Sequence, residues 1–256
     1  MIKQKKLFSI ELVAMLVLFS SCASRYHVSG IERSRILIDS RYDAQPDTRA
    51  EAILAPYKAR VDSVMAPVVG TTDSELTPMR PEGKLSNLLP DILIWAAKDY
   101  GEHPDLAVYN IGGMRAALPK GKVTYGDVVD VAPFENKICF LTLSGTKLME
   151  LFSQIAFRGG EGVSHGVQLE ISKDGKLLSA TLHGKPIDPA AHYRVATIDY
   201  LSQGNDEMVA FKSGTELVSP QSERNNMRYI ICDYFRTQAA NGLSVTAKIE
   251  GRIVIK

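Results

Sequence analysis

The sequence predicts an α+β fold, a mixed β-sheet with helices packed on it. Short runs rich in β-branched and aromatic residues, such as LAVYNI, KICFLTL and YRVATIDYL, read as strands. Longer segments with apolar residues three and four apart, such as TKLMELFSQIAF, read as helices. The two kinds alternate without the regular strand–helix–strand beat of a doubly wound sheet, which favours α+β over α/β. A chain of 256 residues, 45% hydrophobic and 23% charged, has ample material for a core. A net charge of +1 supplies no basic field for a nucleic-acid polymer.

The N-terminus reads as a targeting segment. MIKQKK is basic, LFSIELVAMLVLF is a short apolar stretch, and Ser20-Ser21-Cys22 follows. Cys22 after two small residues resembles the end of a bacterial lipoprotein signal, with residues 1–21 removed and Cys22 lipid-modified. Phe19 departs from the small residue usual there. The alternative, a membrane-spanning anchor, has only a short apolar run to work with. Losing residues 1–21 removes three of the 30 Lys and Arg and one of the 29 Asp and Glu, so the net charge becomes −1. The expected address is the bacterial cell envelope, lipid-anchored on the periplasmic face, since no acidic run follows Cys22. In that oxidising compartment Cys139 and Cys232 read as two buried thiols, although their pairing stays open.

Residues 22–48 read as a tether ending in a short strand, RILIDSRY, and a turn, DAQPD. The main domain then runs over 49–256. A helical rhythm over 49–68 places Ile53, Leu54, Tyr57, Val61, Val64 and Met65 on one face. A second helix, about 84–100, has a buried stripe of Leu85, Leu88, Leu89, Ile92, Trp95 and Ala96, and Gly101 stops it. LAVYNI delivers a strand end into a Gly-Gly turn, and TYGDVVDVAPF reads as a capped helical turn leading to a loop. KICFLTLSG hands over to a helix opened by Ser144 and closed by Gly159-Gly160. VQLEISKDGKLLSATLHGKPI reads as a hairpin with a second turn at His183-Gly184. YRVATIDYL is a strand ending at Tyr200, SERNNMRYIICDYFRTQ a helix capped by Ser222, and TAKIEGRIVIK an edge strand or hairpin.

Chemistry-bearing patterns are few. Glu82, Asp99, Asp127, Asp130 and Asp206 show no spacing that marks an acid/base couple. The five histidines are scattered singly, with no pattern able to hold two cations, so no metal site is expected in this chain. No G-x-S-x-G, P-loop or dinucleotide fingerprint is present. What remains are residues suited to gripping. In YNIGGMRAALPKG, two glycines let the backbone approach closely and Arg115 offers a planar cationic fork. Phe134 and Asn136 sit in a loop, and Tyr200 precedes SQGND, which ends in Asp206. A flat ligand wants aromatic faces, a sugar wants a carboxylate or amide, and an anion wants an arginine. The competing reading makes Phe134 and Tyr200 aromatics at the rim of the core and Asp206 a turn residue.

These same residues carry a family resemblance. Asn110-Ile111-Gly112-Gly113-Met114-Arg115 resembles the Asn-x-Gly-Gly-Ile-Arg of the C-terminal domain of the 5′-nucleotidases, the family that includes UDP-sugar hydrolase. Gly121 to Asp127, Pro133-Phe134-Glu135-Asn136, Leu143-Ser144-Gly145 and Arg194 to Asp206 are similar to its later motifs, in order. Lys84 to Leu88 resembles the segment that opens the domain, and the likeness covers about 70–256. It implies a base sandwiched between Phe134 and Tyr200. Arg115, Asp206, Asn110 and Asn136 would contact the ribose or phosphate side, and Arg80 would stand for an arginine before the opening helix. Gly204-Asn205-Asp206-Glu207 departs from Gly-Gly-Asp-Gly, with Asn205 expected to take the left-handed backbone. Tyr200 replaces a phenylalanine.

The resemblance also implies a missing half. Full-length members carry a metallophosphatase domain that holds both metals, and nothing in this sequence resembles it. The expectation is a nucleotide- or nucleoside-recognition subunit of a split 5′-nucleotidase. Divalent metals would sit on a separate metallophosphatase chain, and this chain would hold no cofactor or catalytic residue of its own. A non-catalytic nucleotide-binding lipoprotein or scaffold is the alternative.

Overall fold

The computed structural model describes residues 26–43 and 47–256. The signal segment, Cys22 and most of the DAQPD turn lie outside the described residues. The chain divides into two compact units, Met1–Glu51 and Ala52–Lys256. In the first, RILIDSRY is not a strand. Ile36, Leu37 and Ile38 lie exposed in an irregular segment, and Ser40–Tyr42 forms one 3₁₀ turn capped by Asp39. An isolated strand has nothing to satisfy its backbone, and no neighbour among the described residues pairs with this one.

The second unit is built on a five-stranded sheet. Its strands, in spatial order, are β10 (Thr215–Val218), β4 (Ile138–Ser144), β9 (His192–Ile198), β2 (Leu106–Tyr109) and β5 (Gly162–Val163). The three central strands carry buried residues at consecutive positions, the pattern of strands covered on both faces. Helix α2 (Lys84–Ala97) packs on β2, β5 and β9, and α6 (Met227–Ala240) packs on α2. The α2 stripe is buried as the periodicity predicts, except that Trp95 is half-buried and meets Tyr234 edge-on at 5.2 Å. Helix α4 (Gly145–Phe157) packs on β4 and β9 and also reaches a second sheet, β11 (Ile253–Ile255), β6 (Val167–Ile171), β7 (Leu177–Leu182) and β8 (Lys185–Pro186).

Local signals account for most boundaries. Helix α3 (Tyr125–Val131) opens with a capping box in which Thr124 Oγ1 accepts from Asp127 N and Thr124 N donates to the Asp127 carboxylate. This satisfies two helix-end donors and explains Asp127 without chemistry. Ser144 caps α4. The cap of α6 is Asn226 rather than Ser222, which instead precedes the 3₁₀ turn Glu223–Asn225. Strands β1 (Val68–Thr72), β3 (Gly121–Thr124) and β10 escape the sequence reading. The first two pair with each other as a separate two-stranded sheet. Helix α1 (Thr48–Met65) forms where the rhythm predicts, with no buried residue. Cys139 and Cys232 are buried and free, and burial pushes their thiols up to about 12 and about 11.

Candidate functional site

Topology gathers the site at one edge of the central sheet. β2 and β9 are parallel neighbours, so their C-terminal ends emerge together, at Asn110 and at Asp199-Tyr200. β4 runs antiparallel to β9 with Ile138 opposite Ile198, so the loop entering β4 arrives at the same edge with Phe134 and Asn136. Three segments far apart in sequence therefore meet because of strand direction alone.

Asn110, Gly113, Phe134, Asn136 and Tyr200 line a cleft of about 150 Å³. That is small beside the roughly 300 Å³ or more of a drug-sized site, and suits one flat ring system with the rest of a ligand outside. Phe134 is 47% exposed and Tyr200 37%, so neither ring is committed to the core. Tyr200 lies in a short helix, α5 (Asp199–Ser202), rather than on the strand. Its phenol donates to Asp206 Oδ1 at 3.0 Å, a bond that raises its pKa, and Asn205 Nδ2 donates to its carbonyl at 2.8 Å.

Asp199 ties the two ring-bearing segments together. Its Oδ1 accepts from Lys137 N at 3.0 Å and from Tyr200 N at 2.8 Å, and its own N–H donates to Lys137 O at 2.8 Å. The start of α6 holds the other side of the Phe134 loop. Met227 N donates to Asn136 O at 2.9 Å and Arg228 Nη2 to Pro133 O at 3.0 Å.

Asn110 explains the Gly-Gly turn. Its Nδ2 donates to Asp206 Oδ2 at 2.6 Å, which fixes which end of the amide is oxygen. That oxygen, Oδ1, is buried without a partner among the described residues, and a Cβ on Gly113 would stand 2.7 Å from it. A side chain at Gly113 would displace the amide that folds over it. A buried acceptor lacking a donor is costly, and the residue that carries it lines the cleft.

The charges are arranged differently from the expectation. Arg115 is exposed, with Nη1 on Gly112 O at 3.2 Å, outside the cleft lining. Arg80 bonds Gly160 O and the carboxylate of Glu161. The guanidinium aimed at Asp206 belongs instead to Arg158, at 3.8 Å, with Glu207 at 3.4 Å. Burial works against the Arg158 cation, but Glu161, Asp206 and Glu207 outweigh it and hold its pKa above the usual value. Glu161, fully buried, accepts from Arg158 Nε at 2.7 Å, from Arg80, and from Ile111 N at 2.5 Å. It locks the turn to both arginines. Sequence reasoning missed Arg158 and Glu161, whose one available signal was a basic residue directly after a helix end.

The left-handed residues of the SQGNDE loop are Asp206 and Glu207, at φ 52° and 59°, along with Gly204, and not Asn205. Held by Asn110 and Tyr200, Asp206 adopts a conformation unusual for a non-glycine residue, as binding sites often do. The remaining carboxylate candidates have other roles or none. Glu82 is buried and accepts from Asn87 and from the backbone at 250–252, and Asp99 and Asp130 are exposed. All five histidines are exposed. Among the described residues no group of three or more His, Cys, Asp or Glu is placed to hold a metal ion.

The sequence profile of the 5′-nucleotidase C-terminal domain matches residues 68–213, more than half the chain and every residue of the cleft. The chain belongs to the 5′-nucleotidase C-terminal domain family. Protein UshA of Escherichia coli is 27% identical over 158 residues, covering 60% of this chain and 29% of the relative. The trifunctional nucleotide phosphoesterase YfkN of Bacillus subtilis is 27% identical over 236 residues, 84% of this chain and 16% of the relative. The crystal structure of a 5′-nucleotidase precursor from Thermus thermophilus superposes with a TM-score of 0.70 at 26% identity, covering 83% of this chain and 44% of that one. The chain thus spans less than half the length of each of these relatives.

Proposed function

We propose that this chain is the nucleotide- or nucleoside-recognition subunit of a split 5′-nucleotidase, anchored to the cell envelope through Cys22. In this reading Phe134 and Tyr200 take the base between them, and Asn110 Oδ1 accepts a hydrogen bond from a ring N–H or amine. Asp206, with Asn136, faces the ribose. Arg158 supplies the nearest cation for the sugar–phosphate side, and Arg115 at the turn's surface reaches towards what projects beyond it. Phosphate-ester hydrolysis belongs to a second chain with a metallophosphatase centre.

The observation that carries the reading is the cleft itself. Two half-exposed rings stand beside a buried amide whose acceptor has no partner in the described residues, all within the stretch that matches the family. Exposed aromatic surface and an unsatisfied acceptor are what a heterocycle would complete.

Calorimetric titration with adenosine, AMP and UDP-glucose tests it. Binding of at least one is expected, together with no phosphate release from AMP when the purified chain is given divalent metal. No binding of any of the three would favour a scaffold, and metal-dependent turnover by this chain alone would overturn the division of labour.

A further inference from the structure

Helix α1 is built to be covered, and nothing in the described residues covers it. Its apolar face carries Ile53 (58% exposed), Leu54 (60%), Tyr57 (69%), Val61 (53%) and Val64 (51%). Helices α2, α4 and α6, by contrast, each bury their stripes. Pro56 lies inside α1 and removes one intrahelical bond. A helix of 18 residues with an internal proline and no packed face is marginal in water, so its stability calls for a tertiary or intermolecular partner.

The spacing indicates what kind of partner. Leu54, Tyr57, Val61 and Val64 are separated by three, four and three residues, and Val68 continues the series four residues on, at the start of β1. This is the alternating three-and-four spacing of an a/d seam, a face suited to knobs-into-holes packing against another helix. With Leu54 and Val61 at a, the central positions flanking the seam are Lys58 at e, which pairs with Asp62 on the exposed surface of α1 at 2.5 Å, and Arg60 at g, both basic. A second copy of this chain would be poorly matched. Antiparallel pairing sets Lys58 against Lys58, and parallel pairing sets Arg60 against Met65, so neither arrangement supplies an opposite charge.

We infer that α1 is a docking helix for a helix of a different polypeptide, one with an apolar seam flanked by acidic residues. That this polypeptide is the hydrolytic chain rests on the function proposed above. The docking itself does not.

The full chain is titrated with a labelled three-heptad peptide carrying Leu at a and d and Glu at e and g, and with a twin carrying Lys at e and g. Fluorescence anisotropy is expected to show the Glu-flanked peptide binding at least about tenfold more tightly, a difference of about 1.4 kcal/mol. Val61→Asp should abolish binding, and the Lys58→Glu, Arg60→Glu double variant should reverse the preference. Adenosine binding at the Phe134–Tyr200 cleft should be unchanged in all of them. Failure of the Glu-flanked peptide to bind, or equal binding of both, overturns the inference. So does sedimentation of the chain alone as a dimer that Val61→Asp dissociates. If the wild-type chain binds the Glu-flanked peptide but no nucleoside, the proposed function fails while the docking helix stands.

Discussion

Replacing Glu161 by glutamine should cost about 3 kcal/mol of folding stability and weaken nucleoside binding at the same time. The carboxylate is fully buried and serves three donors: Arg158 and Arg80 on Oε1, and the Ile111 N–H on Oε2. A glutamine offers one acceptor oxygen and a donor NH₂. If its oxygen stays towards the arginines, the NH₂ confronts the Ile111 N–H. If the amide turns over, two guanidinium groups confront it. Either way a buried donor is orphaned and a cation loses its counter-charge. Breaking a buried pair usually costs about 3–5 kcal/mol. The arginine side chains are 36% and 20% exposed, so water recovers part of the loss, which favours the lower end of that range. At about 2–4 °C per kcal/mol for a chain of this size, the melting temperature should fall by about 6–12 °C. Urea denaturation gives the free energy directly, and adenosine titration reads the loosened Gly-Gly turn. A Glu161→Gln protein within about 0.5 kcal/mol of wild type would refute the claim that this carboxylate organises the site.

Tyr200→Phe keeps the stacking face but removes the hydrogen bond to Asp206, so adenosine affinity should fall by about 0.5–1.5 kcal/mol, read by calorimetry. A loss as large as that of Tyr200→Ala would mean that the ring itself contributes nothing. The Glu102 carboxyl is held below the ordinary range chiefly by hydrogen bonds from Arg194, at 2.6 and 2.7 Å. A depressed folded-state pKa contributes stability that is complete above the unfolded value, about 4.3, and is lost as pH falls through the folded value. Wild type should therefore exceed Glu102→Gln in melting temperature at neutral pH and lose that margin below about pH 4. A margin constant from pH 7 to 3 would contradict the ion-pair account.

How far the sequence could be read depended on the range of the interaction involved. Helices α2 and α4, the hairpin β6–β7 and the Thr124 and Ser144 caps are written in neighbours three or four residues apart, and those assignments agree with the structure. Strands β1 and β3 are short and polar and exist because they find each other across about 50 residues of chain. RILIDSRY has better strand composition than either and finds nothing among the described residues. The cleft was legible as a set, since Asn110, Phe134, Asn136 and Tyr200 converge and Asp206 joins them through two hydrogen bonds. Its charges were not. Arg115 sits where its sequence position suggests, close after Asn110, yet its side chain stays outside the lining, whereas Arg158 reaches Asp206 from the end of another helix. No local pattern announces a guanidinium that arrives from a different element. Helix α1 shows the converse, a periodicity fully visible in sequence with no packed face among the described residues.

The most direct measurement is adenosine titration of wild type against Phe134→Ala. Phe134 sits in a loop at 47% exposure, so its removal leaves the fold intact and takes away one stacking face. If a base lies between the two rings, affinity should drop by about 1–3 kcal/mol, roughly five- to 150-fold. Equal affinity for the two proteins would show that no heterocycle stacks there, and recognition through this cleft would have to be abandoned.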